Sequence, residues 1–113
     1  SVHAMKSSAN DMVKHNEEFA LNASTLYVAA LRGYTSVVRG LITRGADVNW
    51  ASKGGSTPLY RASEEGHVDV VRVLGERGAD INKATNNRKT PLYAATRKNH
   101  TEIIHMLELA AQV

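Results

Sequence analysis

The sequence predicts an all-α solenoid of stacked helix-turn-helix units with projecting β-hairpin or loop fingers. Three observations predict it. Ser24-Thr-Leu-Tyr-Val-Ala-Ala30 recurs as Thr57-Pro-Leu-Tyr-Arg-Ala-Ser63 and as Thr90-Pro-Leu-Tyr-Ala-Ala-Thr96, each 33 residues after the last. Gly45-Ala-Asp-Val-Asn49 recurs at the same offset as Gly78-Ala-Asp-Ile-Asn82. The apolar pairs Val37-Val38, Val70-Val71 and Ile103-Ile104 keep that interval too. A fixed period of this size marks an array whose units bury their apolar faces against their neighbours.

Each unit reads as helix, turn, helix, loop. Thr57-Pro58 opens a first helix, with threonine as cap and proline at the first helical position. Gly33 and Gly66 end first helices where positive φ is needed, and Asn99 stands there in the third unit. Val70, Val71 and Leu74 give the second helix its core-facing side, and Gly78 stops it. Residues 80–89 are polar and turn-rich, as a projecting loop requires. Gly40 and Gly75 fall inside second helices, each costing about 1 kcal/mol relative to alanine.

The chain has 113 residues, 42% hydrophobic and 22% charged, enough for one folded domain. It holds no cysteine, which excludes disulfides, thiolate metal sites and cysteine nucleophiles and agrees with a reducing compartment. No apolar run is long enough to cross a bilayer, and no signal-peptide pattern opens the sequence. An intracellular location, cytoplasmic or nuclear, is therefore expected.

The motifs Thr57-Pro58-Leu59, Ala62, Gly66-His67, Val70-Val71, Leu74 and Gly78-Ala79-Asp80-Ile81-Asn82 resemble the ankyrin repeat family, whose period is also 33 residues. The resemblance covers residues 24 to 111 in three copies, with boundaries near 24–51, 52–84 and 85–113. Three departures stand out. Tyr27, Tyr60 and Tyr93 replace the histidine that the family places after Thr-Pro-Leu. Ser24-Thr25 replaces Thr-Pro in the first copy. Arg88 holds the position of Gly55, which implies an altered finger, with Asn87 absorbing a positive φ. Residues 5–23 lack the repeat pattern and read as an N-terminal capping segment. A helix over residues 10–20 would cover the first repeat with Met12, Val13, Phe19 and Leu21; a partner-binding amphipathic segment is the alternative. At the other end Glu108 takes the place of Ile42, a charge suited to an end-facing helix that closes the array.

No enzymatic constellation is present, and no cofactor or metal is expected. His67 and His100 are one period apart, which suits a helix-junction role better than metal binding. Gly54-Gly55 lacks the lysine and hydroxyl partners of a phosphate loop. Glu64-Glu65 do not face each other on a helix and read as solvated charges. Asn22-Ala23-Ser24 and Asn99-His100-Thr101 fit the glycosylation pattern by chance. Asn49 and Asn82 fix their loops through side-chain bonds to backbone; the resemblance also implies possible β-hydroxylation there.

The resemblance implies partner binding through the fingertips and the exposed face of the first helices. Carried onto this sequence, that face comprises Leu31, Arg32, Trp50, Lys53, Ser56, Glu64, Glu65, Asn86, Asn87, Lys89, Arg97 and Lys98. Trp50 either anchors a partner or packs across the finger bases. Tyr34, at the position of His67 and His100, is expected to be exposed. Residues 57–82 carry a net charge of −2, whereas residues 83–101 carry five cations and no acid. An acidic or bipolar partner protein is expected, bound by a monomer, with no membrane involvement. Nucleic acid is the second reading; it lacks support because Tyr93, the aromatic among those cations, reads as repeat core. A self-associating fragment of a longer array is the third.

Overall fold

A computed structural model describes residues 23–112. Of the capping segment expected over residues 5–23, all but Ala23, which opens the first helix, lies outside the described residues. The elements are α1 (Ala23–Arg32), α2 (Thr35–Thr43), α3 (Pro58–Glu65), α4 (Val68–Glu76), α5 (Pro91–Arg97) and α6 (Thr101–Ala110). They form three antiparallel pairs, and no strand occurs among the described residues.

The helices begin and end where their chemistry dictates. Thr57 Oγ1 accepts the Tyr60 N–H at 3.1 Å, and Thr90 Oγ1 accepts the Tyr93 N–H at 3.1 Å. These caps satisfy donors that the first turn leaves open, and proline follows each cap. Gly33 and Gly66 end the first helices at φ of 76° and 82°, and Asn99 takes the same left-handed conformation at 60°. The next amide then folds back on the helix, as Tyr34 N–H to Ala29, His67 N–H to Ala62 and His100 N–H to Ala95 carbonyls.

The first helices contact one another along the stack far more extensively than the second helices do. The array therefore curves with α1, α3 and α5 on its inner side. Its core repeats with the sequence: Leu41, Leu74 and Leu107 are buried at 33-residue spacing. So are Val70 and Ile103, whereas Val37 at the same position is 37% exposed.

One second-helix glycine, Gly75, stands where the first copy has an aliphatic residue. Ile42 packs partly buried against the core, and Gly75 holds the corresponding place. A groove of about 250 Å³ opens there, lined by Leu59, Val71, Ile81, Met106 and Leu107. No atom would meet a Cβ at Gly75 within 4 Å. Gly75→Ala is expected to stabilise the chain by about 1 kcal/mol through lower backbone entropy of the unfolded state. Urea denaturation followed by circular dichroism checks this; an unchanged midpoint would contradict it.

The fingers take the loop form. In the first, Ser52 N–H bonds the Ser56 carbonyl and Gly55 N–H the Ser52 carbonyl, both at 2.8 Å. The second repeats this with Thr85 to Lys89 and Arg88 to Thr85, again at 2.8 Å. The expected alteration at Arg88 is not found. Arg88 itself takes the positive φ, 65°, and Asn87 does not. The reason is the Thr85 side chain: its Oγ1 accepts the N–H groups of Asn87 and Lys89. This clamps the turn firmly enough to hold a non-glycine residue in a conformation that costs roughly 1–2 kcal/mol.

Candidate partner-binding face

Two sets of hydrogen bonds tie each repeat to the next and fix the spacing of the inner face. His67 Nε2–H donates to the Leu31 carbonyl at 2.8 Å, and His100 Nε2–H to the Glu64 carbonyl at 2.9 Å. Both carbonyls belong to the last turn of a first helix, where they lack intrahelical partners. The helix-junction role expected for these histidines thus has a specific form: each reaches back to the preceding repeat. On the loop side, Asn49 Oδ1 accepts the Asp80 N–H at 2.7 Å, and its Nδ2 lies 3.5 Å from the Gly78 carbonyl. Asn82, one period on, holds its own loop through its N–H to Asp80 Oδ1 at 2.9 Å.

The fingers are joined as well. Asn86 N–H donates to the Gly54 carbonyl at 2.9 Å, and Asn86 Nδ2 to the Lys53 carbonyl at 2.9 Å. Asn86 is thereby a rivet between fingers, with its amide nitrogen already engaged. Ser56 Oγ shares a hydrogen bond with Tyr27 at 2.9 Å. Trp50 is half-buried and stands edge-on to Tyr27, ring centroids 5.6 Å apart at 77°. Of its two expected placements, this is packing across the finger base.

The remaining residues expected at the face divide by charge. Leu31 is half-buried and Arg32 exposed; Tyr34, at the junction position, is 51% exposed. On α3, Arg61 Nε lies 3.3 Å from Glu64 Oε1, and its Nη2 lies 4.0 Å from Glu65 Oε2. The acidic pair is thus partly neutralised from within its own helix. Lys53, Asn87, Arg97 and Lys98 are exposed. Among the described residues, Lys83, Arg88, Lys89, Arg97 and Lys98 join no ion pair.

Tyr93 corrects the sequence reading. It is 37% exposed rather than part of the core, and Lys89 Nζ stands 4.4 Å from its ring centroid. Leu92 beside it is partly buried and Ala94 buried, so Tyr93 lies on the exposed side of α5. Its phenol is held below the free-tyrosine value of 10.0 by hydrogen bonding from Arg97 and Lys89. Tyr60, one repeat away, is pushed the other way, mainly by burial and then by the Glu64 carboxylate. An alkaline titration followed at the tyrosinate absorbance band should therefore show Tyr93 ionising before Tyr60, with Tyr93→Phe deleting the early phase. For stability the signs are opposite. Tyr60 contributes below pH 10.0 and loses that contribution as pH rises through its raised folded value. Tyr93 favours the folded state only once pH climbs past its lowered value. Simultaneous ionisation of the two would contradict the assignment.

Lys89, Tyr93 and Arg97 are therefore brought together on the third repeat, and Lys98 follows at the end of the same helix. The signal for Tyr93 was present in the sequence as a tyrosine recurring at one slot, next to cations 4 residues away on each side. The described residues include no group of histidine and carboxylate side chains able to hold a metal, and no helix among them is long and apolar enough to cross a membrane.

Comparison with known families agrees with the repeat seen in the helices, the capping threonines and the histidine ties. A family model described as ankyrin repeats matches in three copies over residues 2–85 and 26–112. No curated protein matches the sequence significantly. The match spans nearly the whole chain and coincides with the observed helix pairs, so the chain belongs to the ankyrin repeat family.

Proposed function

We propose that this chain is a non-enzymatic protein–protein interaction module, as ankyrin repeats in general are, and that it binds an acidic segment of a partner protein on the inner face of the third repeat. One observation carries the reading: the five cations of residues 83–98 have no acidic partner, whereas the carboxylates of α3 are already paired with Arg61. Uncompensated charge on a preformed surface steers an oppositely charged partner and needs little reorganisation on binding. The half-buried pairing of Trp50 and Tyr27 lends rigidity at the other end of the face.

The test compares the parent with Lys89→Glu/Arg97→Glu/Lys98→Glu, after circular dichroism shows both folded. Each is used to capture proteins from lysate and is then titrated with a glutamate-rich peptide and with generic duplex DNA. The parent should retain a specific protein and bind the peptide, and the variant should lose both. Retention of the same protein by both forms would move recognition to another surface. Steeply salt-dependent DNA binding without protein capture would replace the proposal with the nucleic-acid reading.

A further inference from the structure

Each histidine tie needs an empty place in the repeat before it. A Cβ at Gly33 would stand 2.6 Å from His67 Nδ1, and a Cβ at Gly66 would stand 2.6 Å from His100 Cε1. The rings lie directly against glycine backbone and could not otherwise reach the Leu31 and Glu64 carbonyls. The third repeat repeats the backbone but not the vacancy. Asn99 has the same left-handed φ, 60°, and therefore directs a real Cβ into the place where the next ring would sit. The matching acceptor, the Arg97 carbonyl, is thereby screened from any histidine presented by a following unit.

We propose that Asn99 makes the outward face of the third repeat a closed one, refusing a further histidine-bearing repeat whether it comes from the same chain or from another. A second feature agrees. Glu108 replaces the partly buried Ile42 of the first copy, and covering a carboxylate without a partner is costly. Asn82 still offers the loop-side amide that Asn49 uses, but a stack held only there lacks the helix-side tie. The inner face can hold its partner while this end stays unstacked.

The test is a tandem chain: residues 1–110 followed by a copy of residues 78–112, which places the copied His100 opposite the original Asn99. Three forms are compared by limited proteolysis and urea unfolding: the tandem chain itself, the tandem with Glu108→Ile in the original repeat, and the tandem with Asn99→Gly and Glu108→Ile there. The first two should be trimmed back quickly to three repeats. The third should resist, with trimming about tenfold slower, the size of effect that one recovered, part-buried hydrogen bond gives. Asn99→Gly in the unextended chain serves as control and should leave its proteolysis unchanged. The proposal is overturned if the unmodified tandem resists, if Glu108→Ile alone confers resistance, or if the double variant is trimmed as fast as the parent tandem.

Discussion

Gly55→Ala is expected to destabilise the chain by about 2–4 kcal/mol, the largest effect of any single methyl addition here. Two costs combine. Gly55 has φ of 86°, which strains an L side chain. Its Cβ would also stand 2.5 Å from Asn86 Oδ1 and 2.7 Å from the Asn86 backbone nitrogen. A side chain can rotate away; the backbone amide cannot move without breaking its bond to the Gly54 carbonyl. The second finger must therefore shift. Gly54→Ala is the control, since no atom would meet a Cβ there within 4 Å and its φ is not positive. Urea denaturation should show a clear loss for Gly55→Ala and nearly none for Gly54→Ala. Equal midpoints would show that the fingers are not locked together.

Gly66→Ala is expected to cost about 2–3 kcal/mol, from the left-handed φ of 82° together with eviction of the His100 ring. Gly66→Asn separates the two. Asparagine tolerates this conformation, as Asn99 does, but its Cβ still meets the ring. It should retain the cost of the lost hydrogen bond and shed part of the strain. A double-mutant cycle with His100→Ala checks the coupling. Once the ring is gone, Gly66→Ala should lose only its backbone component. Full additivity would mean that the ring does not depend on the glycine.

The helix pairs were legible because each of their causes is local. Thr-Pro starts, a glycine or asparagine stop and an apolar stripe are written within a dozen residues, and three copies repeat the same message. The ties between repeats were less legible. His67 was recognisable as a junction residue, but its acceptor is a main-chain carbonyl 36 residues earlier, and no residue type marks a carbonyl. Asn86 looked like a fingertip contact because its loop is polar; the adjacent finger uses that polarity. Arg88 broke a glycine pattern, and the compensating Thr85 hydroxyl could be appreciated only with the turn in view. Tyr93 was misplaced because its slot usually faces the neighbouring elements of a repeat, and the cations that draw it outward come from both sides of the helix start. The charge of the third repeat was plain in the sequence; that α3 neutralises its own acids was not.

The side-chain ties between repeats span 29 to 36 residues, and each joins only adjacent units. The molecule is in this sense a chain of neighbours, with no staple linking its first helix pair to its last. Such a network loses order by fraying: a unit at the edge can open while the remainder keeps its shape. It also assembles by short loop closures, which favours rapid folding. The middle pair, clasped by histidines on both sides, should be the last to exchange its amide protons. Recognition on the third repeat consequently has a thermodynamic dimension, because a ligand seated there would brace a unit tied to the second repeat by the His100 and Asn86 bonds.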